Sequence, residues 1–298
     1  MNKLTLINKV KEIYQSGGNM MDFLRSDSYQ NDIDSIMISY DFQAGSYIEL
    51  ASKNLEYFDK YTTALMQVIS EFGSIDSIVE VGVGEATMMT PLMVKLDKEN
   101  KLKKIGFDIS WSRVRYAKDY AKKFNQNIDL FVGNLFSIPL ESDSVDVVYT
   151  SHSLEPNGGF EKQALSELCR VASKYVVLLE PDFENASDEG KQRMLKHGYV
   201  RDLARHAIEL GFNVIEDKAF DVYINALNPT RLTIISKSTS SINKQDIFQC
   251  PVSKTQLKKI KGSWFSEQSG ILYPEIDEIP CLLEQNAILA TKFLQFNS

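Results

Sequence analysis

The segment Thr150-Ser151-His152-Ser153-Leu154-Glu155-Pro156-Asn157-Gly158-Gly159 gathers an imidazole, a carboxylate and a carboxamide within ten residues. An imidazole titrates near neutrality, so His152 is the leading candidate for a general base, with Glu155 as its companion. The alternative is a His152 that only hydrogen-bonds the backbone and shapes a pocket. Glu180 and Asp182, at the end of another apolar run, suit the binding of an amine or of sugar hydroxyls unless they are solvated loop residues. Tyr40, Gln43 and Tyr47 stand in a mix of aromatic and polar groups around Gly45, fit either to touch a ligand or to form a plain hydrophobic lid.

A second chemical signal is Ser77-Ile78-Val79-Glu80-Val81-Gly82-Val83-Gly84-Glu85-Ala86-Thr87, an apolar strand, a glycine turn and then a helical pattern. Glycines in that context let the backbone approach a nucleotide and leave the following amides exposed. The next strand ends in Asp108, 26 residues after Gly82, where a carboxylate accepts hydrogen bonds from both hydroxyls of a ribose. A dinucleotide loop wants a third glycine where this chain has Thr87.

These groups need a scaffold, and from residue 75 onward β-branched runs alternate with amphipathic stretches. Strands are predicted at Ile78–Val83, Lys104–Ile109, Ile128–Val132, Val145–Tyr149, Tyr175–Leu179, Phe212–Ile215 and Arg231–Ile235. Helices are predicted at Ala86–Leu96, Ser112–Phe124, Phe160–Ala172 and, ended by Gly211, Ser187–Leu210. The pattern predicts an α/β fold, a doubly wound and mostly parallel seven-stranded sheet. Residues 1–74 read as a helical cap or lid, with Leu4, Ile7, Val10 and Ile13 as an apolar stripe and a helix over Leu55–Glu71. The core spans 75–236, residues 237–245 have linker composition, and 246–298 read as a small β-rich domain.

Composition narrows the function. The 298 residues are 43% hydrophobic and 24% charged, which describes a globular chain without a membrane-length apolar run. A net charge of −7 disfavours a dedicated nucleic-acid binder. Cys169, Cys250 and Cys281 are too few for a disulfide framework and fit a reducing compartment, with the cytoplasm as the expected location. No signal-peptide pattern is seen at the amino terminus. His197 and His206 sit nine residues apart in the long helical pattern, with no third ligand in sight, so no metal is expected.

Glu80-x-Gly82-x-Gly84-x-Ala86 resembles the first motif of class I S-adenosylmethionine-dependent methyltransferases, with alanine at the usual third glycine. The resemblance extends over residues 75–236 and implies a Rossmann-like methyltransferase fold with S-adenosyl-L-methionine as cofactor. It implies cofactor contacts from Glu80, Gly82, Gly84, Tyr47 and Ser151, from Asp108 and Ile109 in Phe107-Asp108-Ile109-Ser110, and from Asn134 and Leu135 after Gly133. Related enzymes often read Ser-His-x-Leu-Glu-His where this chain keeps His152 and Glu155 but has Pro156 and then Asn157-Gly158-Gly159, a loop reshaped for its substrate. The Asn-Pro-Pro-Tyr signature of nucleic-acid amino methyltransferases is missing. Substrate contacts are expected from Tyr40, Gln43, Asn157, Glu180 and Asp182, and catalysis from His152 and Glu155.

The tail, with Cys250-Pro251-Val252-Ser253 and Tyr273-Pro274 through Pro280-Cys281, resembles the small zinc-binding methyltransferase activator protein. Its zinc ligands are incomplete, since Ser253 replaces the second cysteine, so a docking or structural role is expected. Lys258, Lys259 and Lys261 near Trp264 and Phe265 read as a solvated loop over core aromatics, because residues 244–298 balance six lysines against six acidic residues. The expected function is methyl transfer to a small polar acceptor such as a sugar or surface-glycan precursor, with no membrane partner. The alternatives are an RNA or protein methyltransferase assisted by the tail, and a cofactor-binding scaffold without catalysis.

Overall fold

The structure, a computed structural model, describes residues 3–18, 20–24, 33–237 and 247–296. Most of the expected linker 237–245 lies outside these residues, as does the side chain of Leu4. Five helices come first among the described residues: α1 (Lys3–Gln15), α2 (Met20–Leu24), α3 (Ile33–Phe42), α4 (Ser46–Lys53) and α5 (Leu55–Ser70). Val10 of the amino-terminal stripe is buried with Met20 and Ile38, with Ile13 packed at the margin of that cluster. In α5, Phe58, Tyr61, Leu65 and Ile69 recur at helical spacing and are buried, which turns one face onto the core.

The core alternates as predicted. β1 (Ser77–Val81), α6 (Met89–Leu96), β2 (Lys103–Asp108), α7 (Trp111–Lys123) and β3 (Asp129–Val132) lead to β4 (Val145–Ser151), α8 (Glu161–Val171) and β5 (Ala172–Pro181). They are followed by α9 (Asp188–His197), α10 (Leu203–Glu209), β6 (Asn213–Phe220) and β7 (Thr230–Ser236). The seven strands form one sheet in the order β3-β2-β1-β4-β5-β7-β6. Strands β1 to β5 pair in parallel and β7 runs antiparallel to both neighbours. The strand order reverses between β1 and β4, so a crevice opens beyond their carboxyl ends, where open α/β sheets bind ligands.

Two predicted helices are corrected. The long helix over Ser187–Leu210 is two helices, because Gly198 takes a left-handed φ of 64° and ends α9. The released segment turns inward: Val200 is buried and donates its amide to the Glu155 carbonyl at 3.0 Å, and the Gly198 carbonyl accepts from the Gly158 amide at 2.9 Å. His197 and His206 therefore do not share a helix face. The helix expected from Ala86 starts only at Met89, since Ala86 itself has a φ of 57° and closes a turn onto the Val83 carbonyl.

The tail forms β8 (Lys258–Ile260), β9 (Ser263–Ser266), β10 (Ile271–Ile276), β11 (Ile279–Pro280) and β12 (Ile288–Leu289), an antiparallel sheet. It packs against the core. Cys281 bridges in parallel to Val132 at the outer strand, and Leu282 donates its amide to the Val132 carbonyl at 2.8 Å, which covers the edge of the large sheet. Phe248 stands edge-on to Phe131 with ring centres 5.2 Å apart, and Cys250, Leu257, Tyr273 and Leu282 are buried in the same cluster as Val79 and Phe107. Cys250 accepts from the Ser253 amide and faces the Tyr273 hydroxyl, both at 3.3 Å. No group of three or more His, Cys, Asp or Glu side chains arranged to hold a metal occurs among the described residues. Nor is any helix among them long and apolar enough to cross a membrane.

Because Leu282 is fully buried between tail and core, Leu282→Ala should cost about 2–5 kcal/mol. Denaturant unfolding followed by tryptophan fluorescence should show one transition moved to lower denaturant. A second transition, with the core's midpoint unmoved, is the result that would show the tail unfolding by itself.

Candidate active site

The glycine loop follows directly from β1. Gly82 has a φ of 71°, and a β-carbon there would lie 2.3 Å from the Ser153 β-carbon, so the position admits no side chain. The Val83 amide donates to the Phe107 carbonyl at 2.8 Å, and the Gly84 amide donates to Asp108 Oδ2 at 3.0 Å. Asp108 Oδ1 accepts from the Ser110 amide at 2.9 Å. The carboxylate thus ties the loop to the end of β2 and keeps lone pairs for further donors. Burial pushes the Asp108 carboxyl above its ordinary range against the pull of Arg113 and of these amides.

Glu80 lies just behind the loop, buried, and accepts from the Tyr149 hydroxyl at 2.9 Å. Burial pushes its carboxyl up to about 8, with the Tyr149 hydrogen bond and the Met89 amide opposing. At neutral pH it holds its proton.

Over the loop sits the helical lid, and the group that holds it is Glu85. Its Oε1 accepts from the Gly45 amide at 2.9 Å and the Tyr47 amide at 3.3 Å, and its Oε2 from the Ile48 amide at 2.8 Å. These are donors at the start of α4, where a carboxylate meets both unpaired amides and the positive end of the helix. The Arg113 guanidinium, also buried, lies 3.4 Å from Glu85 Oε1 and donates through Nε to the Tyr40 carbonyl at 2.9 Å. Its carbon sits 4.1 Å from the Tyr47 ring centre and 5.0 Å from that of Tyr40. Neither Glu85 nor Arg113 is among the sequence-predicted site residues. The available signal was an arginine on the buried face of α7 with Val114, Ala117 and Ala121, since a cation there demands a partner.

On the other side, β4 runs out into the His152 loop. His152 adopts a left-handed φ of 54° and donates its amide to the Leu179 carbonyl at 2.8 Å. Its Nδ1 lies 3.0 Å from Glu155 Oε2 and its Nε2 2.8 Å from Thr230 Oγ1. Burial lowers the imidazole's proton affinity, but the Glu155 carboxylate outweighs it and the ring titrates above its ordinary value. Both ring nitrogens already hold protein partners, so His152 orients Glu155. Asn228 of the β6–β7 loop donates to the same Glu155 oxygen at 3.2 Å.

Two predicted substrate carboxylates face elsewhere. Glu180 Oε1 accepts from the Ser153 and Leu154 amides at 3.1 Å each, bracing the loop from beneath, and burial raises its pKa to about 7. Asp182 is buried among Asn185 and Arg231. Neither lines the cavity, and neither does Gln43, whose amide donates to Ser39 at 3.1 Å. Asn134 does line it, with its amide oxygen accepting from the Phe136 amide at 3.0 Å in its own turn.

The walls enclose a cavity of about 380 Å³, within the range of small-molecule sites. Glu80, Gly82, Gly84, Asp108, Ile109, Asn134 and Leu135 line one end of the set. Tyr40, Tyr47, Ser151, His152, Glu155 and Asn157 line the rest. The structure adds Tyr57, Phe58, Tyr223, Ile224, Asn225 and Asn228, from α5 and the β6–β7 loop, which carry no motif.

Residues 78–174 match the family described as "Methyltransferase domain". No curated protein matches the sequence. Among solved structures, the chain is similar to a SAM-dependent methyltransferase from Aquifex aeolicus, at 19% identity over 57% of this chain and 87% of that one, with a TM-score of 0.46. It is also similar to magnesium protoporphyrin IX methyltransferase from Synechocystis PCC 6803 with bound SAH, at 14% identity over 76% and 97% of the chains and a TM-score of 0.48. A chain of the complex between the Haloferax volcanii Trm112 methyltransferase activator and a methyltransferase matches at 15% identity over 62% and 95%, with a TM-score of 0.44. The central segment is a methyltransferase domain. S-adenosylmethionine is the cofactor that the sequence motifs imply for this domain.

The residues present suit that cofactor. Gly82 and Gly84 clear the loop of side chains, Asp108 has acceptor capacity to spare, and Arg113 Nη2 and Ser153 Oγ are buried cavity-wall atoms without a partner. Gly82→Ala should add about 1–2 kcal/mol of backbone strain to the steric conflict with Ser153. A lowered melting temperature and a loss of most cofactor affinity in calorimetry are expected. Unchanged affinity would show that the loop does not form the cofactor's floor.

Proposed function

We propose that this enzyme methylates a small-molecule acceptor that enters between the lid and the β6–β7 loop. One observation carries the reading: a single cavity joins the glycine loop and Asp108 to the His152–Glu155–Asn228 cluster. In it Asp108 would hold the ribose hydroxyls, Ile109, Leu135 and Asn134 would meet the adenine, and Glu80 would receive the cofactor's ammonium. The bound cofactor supplies an electrophilic methyl group on a sulfonium. The chain holds both reactants in line, excludes water with Tyr40 and Tyr47, and places Glu155 to take the acceptor's proton. A small molecule is favoured over RNA by the net charge of −7. The sugar or surface-glycan precursor expected from the acidity of the chain and the reshaped His152 loop finds Glu155 and Asn157 in the cavity lining, whereas Glu180 and Asp182, the carboxylates that would suit sugar hydroxyls, lie outside it.

The domain reading follows the same logic, with residues 1–74 as lid, 75–236 as catalytic core and 246–298 as an activator-like module built into the chain. Ser137 Oγ donates to the Pro251 carbonyl at 3.1 Å and the Gln249 amide to the Pro139 carbonyl at 3.1 Å, so the module braces the segment after Asn134 and Leu135. Three free, buried cysteines agree with a reducing compartment such as the cytoplasm.

Asp108→Asn should weaken cofactor binding about 10- to 100-fold, the scale of a charge-assisted hydrogen bond, and calorimetry reads it directly. Wild-type affinity in the variant would overturn the assignment of the ribose site. Glu80 gives a pH signature. In the free enzyme its proton is retained up to about 8 against an ordinary 4.5, so the folded state binds more protons than the unfolded one across that window. Its contribution to stability is complete below the lower value and is lost as pH rises toward the upper one. A cation beside Glu80 reverses the shift, so cofactor binding near pH 7 should release a proton. Titrations in phosphate and in Tris should differ in apparent heat, and Glu80→Gln should erase the difference and flatten the pH dependence of melting.

A further inference from the structure

The acceptor end of the cavity is apolar at its mouth and hydrogen-bond accepting at its base. Ile33, Leu50, Tyr223 and Ile224 are between 37% and 52% exposed, yet all four line this one opening, with Phe58 and Tyr57 further in. Large apolar side chains left in water together around a cavity mark a binding surface. Deeper in, Asn228 donates through Nδ2 to Glu155, which leaves its Oδ1 buried without a partner. An unpaired buried carbonyl is costly unless a ligand donor meets it. Glu155, ringed by His152 and Asn228, is the second acceptor group there.

Resting on the methyltransferase reading above, we propose that the methyl acceptor is an amphipathic small molecule with a ring-like or chain-like apolar body and one protic nucleophile, a hydroxyl or an amine. The apolar body lies against Leu50, Phe58 and Ile224, and the nucleophile donates its hydrogen bond to Asn228 Oδ1 or Glu155. In the transfer, the nucleophile's lone pair forms the new bond to the methyl carbon and the carbon–sulfur bond breaks with its electron pair going to sulfur. The nucleophile's proton passes to the Glu155 carboxylate. Asn228 is a positioning residue: it fixes both the carboxylate and the nucleophile, and it selects against acceptors that bring no proton. A sugar, with hydroxyls on every side, would leave most of them unmatched against this lining.

The test uses the full chain, first titrated with S-adenosylmethionine, then with 2-naphthol, naphthalene and methyl α-glucoside as probes. The expected order is 2-naphthol tightest, naphthalene weaker and the glucoside weakest. The surface double variant Leu50→Ser with Ile224→Ser should weaken 2-naphthol about tenfold and leave cofactor affinity unchanged. Asn228→Leu should erase the preference for 2-naphthol over naphthalene. Glucoside binding as tightly as 2-naphthol, or 2-naphthol binding indifferent to the double variant, overturns the inference while the methyltransferase reading stands. Absence of cofactor binding in the first titration overturns both.

Discussion

The lid and the ligand loop are held as one body by the Glu85 carboxylate. It sits in the middle of the glycine loop and takes three amides from the turn into α4, with Arg113 closing the charge balance from α7. Both side chains are almost wholly removed from water, at 1% and 0% exposure. Burying such a pair is costly unless its lone pairs and protons are used. Here three backbone amides, the Tyr40 carbonyl and two tyrosine faces meet the pair, and Arg113 Nη2 is the group left without a partner. Removing either partner would strand a charge in the interior. The positions of Tyr40 and Tyr47, and hence one wall of the cavity, follow from this clamp.

The opposite wall is held by different means. The loop after β4 bends back through a left-handed His152, is braced from beneath by Glu180 and from outside by the Val200 segment, and is pinned at its rim by Thr230 and Asn228. Apart from the Val200 segment between α9 and α10, each brace comes from a strand end or the loop beside it, so the polar groups are aimed largely by the rigid sheet and not by the loop itself. The buried carboxyls of Glu80 and Glu180 are shifted upward by the same enclosure.

The tail extends this logic to the outer strand. A parallel sheet ends in an unpaired edge at β3, and the Cys281–Leu282 segment covers it while Phe248 packs on Phe131. The turn that carries Asn134 and Leu135 leaves that strand, so the edge cover also steadies part of the ligand wall. Ser253 and Tyr273 satisfy the Cys250 sulfur by hydrogen bonding, which gives the thiol a structural task.

The sheet was legible because strand runs such as Ile78–Val83 and Val145–Tyr149 are apolar on both faces and are punctuated by turn residues, a local pattern that survives without any knowledge of contacts. Glu80, Gly82, Gly84 and Asp108 were legible for a related reason: strand, turn and helix follow one another within a few residues, so spacing alone sets their geometry. His152 was legible as a residue but not as a role, since its partner Thr230 is 78 residues away. Glu180 and Asp182 were misread because a strand end has two sides, and which one faces the crevice depends on the neighbouring strands. The break at Gly198 escaped helical periodicity because a buried Val200 outweighs local propensity. Local sequence therefore determined the strands, the glycine turn and the acid that follows it. Tertiary structure alone decided which of the remaining polar groups meet, because Glu85 with α4, Arg113 with Tyr40, and Asn228 with Glu155 are brought together only when distant segments pack.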